Sequence, residues 1–136
     1  MIRYPVQIYP VKRVGKLLYL NAAITGWNDD IALLRLLIDT GASYTVLPSP
    51  PLRTLGYDIE NADKHRQIIT ASGIVNAPLV HVKCFNCLGI QLQNHPILIY
   101  DLPSTKQFDG ILGMDFLAAN RVSISTSDAE VYRPVT

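Results

Sequence analysis

The sequence predicts an all-β fold carrying one short helix, and three observations predict it. Its apolar residues recur with the periodicity of strands rather than of helices. The runs are short and are closed at regular intervals by clusters of Gly, Pro, Asn, Asp and Ser. Only residues 114–120 read as a convincing helix, about two turns long.

The elements run in order along the chain. Residues 16–25 are a β-rich run that ends at the turn Gly26-Trp27-Asn28-Asp29-Asp30. Residues 31–38 are almost continuously apolar, as expected for a strand buried on both faces. A turn at 39–43 leads into a short strand, 44–47, which Pro48-Ser49-Pro50-Pro51 stops. Residues 52–56 predict a short helical turn. Residues 65–71 and 74–85 then pair about Ser72-Gly73, a dipeptide suited to a tight hairpin. A long strand at 90–100 precedes a polar loop, 101–107, and residues 108–112 lead to Gly113 and the helix. Residues 121–125 and 130–133 form a last hairpin about Thr126-Ser127-Asp128. There is no internal repeat, low-complexity tract or linker, so 1–136 reads as one domain.

Composition narrows the function. With 49% hydrophobic and 17% charged residues, a chain of this length can bury a real core. A formal charge of +1 argues against a nucleic-acid surface, and the small clusters Lys12-Arg13 and Lys64-His65-Arg66 read as solvated loops. The start of the chain lacks the apolar region of a signal peptide, and no apolar stretch is long enough to span a bilayer. A cytoplasmic protein without membrane partners is the expectation.

The two cysteines, Cys84 and Cys87, are spaced C-x-x-C between His81 and His95, which raises a zinc reading. Strand alternation opposes it, since it sends His81 and Lys83 to one face and Val82 and Cys84 to the other. A structural pair beside a hairpin tip, with no metal and no cofactor, is the expected role.

Chemistry concentrates in residues 36–48, Leu-Leu-Ile-Asp-Thr-Gly-Ala-Ser-Tyr-Thr-Val-Leu-Pro. An apolar strand delivers Asp39 into a turn made by Thr40 and Gly41, and a second apolar strand leaves at once. A carboxylate set between two hydrophobic strands costs several kcal/mol unless it is compensated. Such a position points to chemistry rather than to stability.

Asp39-Thr40-Gly41-Ala42-Ser43 resembles the catalytic loop of retroviral-type aspartic peptidases. Thr70-Ala71-Ser72-Gly73-Ile74 resembles the tip of their flap hairpin, and Ile111-Leu112-Gly113 the segment crossing behind the catalytic loop. The resemblance spans roughly residues 15–133 and looks closest to cellular and bacterial single-domain members. It implies a retropepsin-like fold, a closed β-structure with a flap and one short helix. It also implies an aspartic endopeptidase without cofactor. Such chemistry needs two carboxylates sharing a proton around one water. Asp39-Thr40-Gly41 is the only motif of its kind in the chain, so the resemblance implies a homodimer that pairs two copies of Asp39.

In that reading Asp39, Thr40 and Gly41 are catalytic, with Thr40 tying the two loops together across the dimer. Ala42, Ser43, Ser72, Gly73 and Ile74 bind an extended peptide, with Tyr44 and Ile111 as further pocket residues. Ala42 stands where pepsin-like enzymes usually carry a serine, which implies a mildly acidic optimum. Ser43 and Met114 replace the acid–arginine pair usual in retroviral members. Asp115 reads as a helix N-terminal acid favoured by the dipole. The alternatives are a catalytically weak or inactive dimerisation or peptide-binding module and, more distantly, a zinc-binding structural protein.

Overall fold

The computed structural model describes residues 4–103 and 108–135, so positions 104–107 of the expected polar loop lie outside the described residues. The strands are β1 (Val6–Pro10), β2 (Lys12–Val14), β3 (Leu17–Thr25), β4 (Ile31–Ile38), β5 (Val46–Leu47), β6 (Lys64–Thr70), β7 (Gly73–Cys87), β8 (Ile90–Ile99), β9 (Gly110–Leu112), β10 (Ser123–Ser125) and β11 (Glu130–Pro134). Two six-residue helices, α1 (Ser49–Thr54) and α2 (Met114–Ala119), complete the described elements.

Eight strands form one sheet in the order β2-β3-β4-β9-β5-β8-β7-β6. A further pairing of β3 with β7, from Ala22–Cys87 to Thr25–Cys84, closes that sheet into a barrel. Closure removes the free edges that β3 and β7 would otherwise present. Inward-facing Leu18, Leu20, Ala22 and Ile24 alternate along β3 with less buried neighbours. They meet Leu36, Leu47, Phe85, Leu112 and Phe116 in one core. Each such side chain contributes ~1.5–3 kcal/mol by leaving water. Tyr57 stitches the closing seam, its hydroxyl donating to the Thr25 carbonyl and accepting from the Lys83 amide at 2.8 Å.

Four expectations change. Strand 31–38 is not buried on both faces: Leu34 and Leu36 point inward, while Ile31 is 64% and Leu33 73% exposed. A barrel wall has only one inner face, and the other leaves Ile31 and Leu33 open to solvent. The hairpin after β6 turns through Ala71-Ser72, one residue earlier than expected. Thr70 faces Gly73, whose φ of +122° opens β7. Its glycine therefore serves the returning strand rather than the loop. Pro48 and its neighbours start a helix as well as ending a strand. Proline needs no amide partner in the first turn, so the helical turn expected at Leu52 begins at Ser49. Finally, β7 runs on to Cys87, where Leu88 and Gly89 turn the chain with φ of +53° and +71°, the pair of positive angles of a type I′ hairpin.

The last hairpin forms as expected from β10 and β11, and β1 adds to it, with Ile8 opposite Tyr132. The result is a separate three-stranded sheet, β1-β11-β10. The first and last described strands thus meet on one sheet within the same molecule.

Candidate active site

Strand β4 carries the chain to Asp39, and β5 carries it away. Between them lies β9, parallel to β4 from Leu36–Gly110 to Ile38–Leu112 and antiparallel to β5 at Val46–Ile111. The loop therefore arches over β9 and is bonded to the end of that strand and the start of α2. The Asp39 amide donates to the Leu112 carbonyl at 3.0 Å, Met114 to Ala42 at 2.8 Å and Asp115 to Ser43 at 3.1 Å. Close approach dictates the glycines. A Cβ on Gly113 would sit 2.5 Å from the Tyr44 carbonyl oxygen, and one on Gly110 would sit 2.4 Å from that of Val46. The segment Ile111-Leu112-Gly113 is thus the scaffold of the loop.

At the centre, the half-buried Asp39 accepts a hydrogen bond from the Gly41 amide on Oδ1 at 2.9 Å. A Cβ on Gly41 would lie 3.3 Å from that oxygen and crowd the carboxylate. Thr40 is exposed beside it. Behind the loop, Thr45 is 1% exposed and its hydroxyl donates to Asp115 Oδ1 at 2.8 Å. Its amide points at both carboxylate oxygens of Asp115 at 2.9 Å. Asp115 also accepts from the adjacent Phe116 amide at 2.8 Å, inside a first turn whose N-cap is Gly113, but its reach to Thr45 was not legible in the sequence.

Asp39 opens into a cleft of about 560 Å³, walled by Tyr44, Val46, Ile68, Tyr100 and Ile111 among others. Of the residues singled out from the sequence, Gly41, Ala42, Ser43 and Ser72 line this cleft with Asp39. Thr40, Gly73 and Ile74 are not on its wall, and Ile74 is 67% exposed. On the hairpin it is β6, through Gln67, Ile68, Ile69 and Thr70, that faces the cleft. Sequence reasoning missed Ile68 and also Tyr100, whose amide donates to the Leu47 carbonyl at 3.0 Å. The alternation of β6 could have found the first; the second depends on β5 and β8 running side by side. Among the described lining residues Asp39 is the only carboxylate.

The cysteine hairpin lies apart from this chemistry. Cys87 is buried and its thiol is pushed up to about 12 by that burial, while Cys84 is half-buried and neither is bridged. His95 stacks on Phe85 at 5.7 Å. Among the described residues no three His, Cys, Asp or Glu side chains converge as a metal would require.

A closed barrel with a carboxylate loop arched over a crossing strand is the retropepsin-like fold. A family model described as aspartyl protease matches residues 23–116, and the chain belongs to that family. Three solved structures share the architecture. A retropepsin-like aspartic protease from Rickettsia conorii aligns with a TM-score of 0.67 at 20% identity, covering 98% of this chain and 96% of that one. EIAV protease, complexed with the inhibitor HBY-793, gives 0.62 at 24% identity over 84% and 97% of the two chains. The retroviral protease-like domain of Ddi1 from Leishmania major gives 0.56 at 16% identity over 88% and 93%. No curated protein matches the sequence.

Proposed function

We propose that this protein is an aspartic endopeptidase working as a homodimer, with Asp39, Thr40 and Gly41 of each subunit forming one shared site. The observation that carries the proposal is the carboxylate that stands alone among the described residues of the cleft, held at the head of a braced Asp-Thr-Gly loop. One Asp39 acts as base on a bound water, and its protonated partner polarises the scissile carbonyl. The water's oxygen bonds to the carbonyl carbon. The carbonyl π pair moves onto oxygen, which takes the partner's proton. On collapse that proton returns to the partner, the C–N bond breaks, and the amine takes the proton the base removed from water. Activity needs one carboxylate charged and the other protonated, so it follows a bell-shaped pH profile. Ala42 offers the carboxylate no hydroxyl donor, which favours a mildly acidic optimum.

The exposed Thr40 suits a bond to the partner loop, and the apolar cleft suits an extended peptide with uncharged side chains beside the cut. Ala42, Ser43 and Ser72 contact that peptide, and Gly73 and Ile74 act through hairpin closure. The whole of 1–136 acts as one unit. Two unbridged cysteines suit a reducing compartment such as the cytoplasm.

The test is cleavage of a diverse peptide mixture between about pH 4 and 8 by the wild type and by Asp39→Asn, with oligomeric state checked in each buffer. The expected result is turnover that falls at least ~1,000-fold in the variant while the dimer persists. A folded wild-type dimer without turnover would favour a peptide-binding module instead.

A further inference from the structure

We infer that Asp115 is a positioning residue for the catalytic loop, acting through the hydroxyl and amide of Thr45. An acid placed only to suit a helix dipole has no need to leave its own first turn, and a six-residue helix has little dipole to suit. The Asp115 carboxylate does leave it, taking the Thr45 amide and hydroxyl at 2.8–2.9 Å. The hydroxyl is used in both directions, because its oxygen accepts from the Gly113 amide at 3.1 Å. A relay therefore runs from Gly113 N–H through Thr45 Oγ1–H to the carboxylate, in a site from which Thr45 is almost wholly shielded from water.

The relay closes a ring. Asp39 is fixed at the head of the loop by its amide bond to Leu112, and Thr45 is fixed at the foot by Asp115. Between them, Ala42 and Ser43 accept from Met114 and Asp115. Every anchor of the loop thus lies in the segment 112–115. Without the carboxylate the foot would keep only the Gly113 amide bond and the strand pairing of Val46, and Thr45 would keep a buried donor with no acceptor. Asparagine is a poor substitute, since an amide nitrogen in place of Oδ2 faces the donating Thr45 amide, and the charge that strengthens the bonds to Oδ1 is lost. Loops that carry reacting groups need such support, because small displacements of the carboxylate lose much of the rate.

The kinetic arm of the test rests on the proposed peptidase reading; the exchange arm does not. Asp115→Asn, Thr45→Val, the double variant and Thr45→Ser are compared with wild type. Amide hydrogen exchange is followed at Asp39, Ala42 and Met114, none of which bonds to the altered side chains, and at Ile24 and Val131 in the barrel and terminal sheet. Each disruptive single variant is expected to speed exchange at the three loop-side amides about tenfold or more, with Ile24 and Val131 unchanged. The double variant should be no faster than the faster single, because both break one relay. In turnover, kcat should fall about tenfold or more while KM moves less than about threefold, with Thr45→Ser within about twofold of wild type.

Wild-type exchange at the loop in both single variants would overturn the inference, as would effects that simply add. Should Asp115→Asn not fold, Thr45→Val decides alone, since it deletes one hydroxyl at constant shape. A wild type without any peptidase activity would defeat the proposed function, and the exchange data would still decide the role of Asp115.

Discussion

Loop 39–45 and the β6–β7 hairpin line the same cleft, yet they are held in different ways. The loop is short, bonded along its length to residues 112–115, and packed over a segment that allows no side chain at Gly110 or Gly113. The hairpin is tied through β6 to β7 alone, and its cross-strand pair Ile69–Ile74 stands 87% and 67% exposed. One wall is fixed and the other stands open; in the proposed function the first carries the reacting group and the second closes over the peptide. Their glycines differ accordingly. Gly113 is required by close contact, whereas Gly73 has open space around it and is required only by its φ of +122°.

Substitution should separate the two walls. Gly113→Ala forces a methyl group onto the backbone of Tyr44, so stability should drop by ~3 kcal/mol or more in urea unfolding, and activity should go with it. Gly73→Ala meets no neighbour and bears only the backbone penalty of ~1–2 kcal/mol, with the loop undisturbed. Its main effect should be on KM, through the hairpin. Equal losses at the two positions would mean that the hairpin is as rigidly built as the loop.

The smallest expected effect sharpens the contrast away from the cleft. Burial on Phe85 is the largest cause holding the His95 pKa below its ordinary 6.5; the charge of His81 lowers it further and that of Asp115 opposes. A depressed folded value means that the unfolded chain binds the proton more readily. Stability is therefore complete above about pH 6.5 and falls as the pH drops from there toward the folded value. His95→Phe keeps a ring on Phe85 and should flatten that slope in unfolding experiments at about pH 5 and pH 7.5, without moving the floor of the cleft. A mildly acidic enzyme would work inside the window where this histidine costs stability.

The loop was legible in the sequence because local signals agreed there: two apolar strands, a turn that admits glycine, and a lone acid between them. The helix at Met114 and the final hairpin were legible for the same reason. Elsewhere the sequence was ambiguous in a physical sense. Ser72-Gly73 can spend its glycine in a turn or on the strand after it, and the structure uses the second. A continuous apolar run such as 31–38 does not say how many of its faces will be covered. Strand β1 finds its partner, β11, at the far end of the chain, which no local pattern announces. Thr45 and Asp115 carry ordinary local roles, and only the crossing of β9 beneath the loop brings them together. No second carboxylate lines the cleft among the described residues of this chain, and in the proposed dimer another copy supplies it.

Subunit mixing tests that assignment most directly. Increasing amounts of Asp39→Asn protein are exchanged into wild type at constant total concentration, and peptide cleavage is followed. If two copies share one site, mixed dimers are inactive and activity falls with the square of the wild-type fraction, leaving about one quarter in an equal mixture. About one half remaining, in proportion to the wild-type chains alone, would show that each subunit carries a complete site and would contradict the shared dyad.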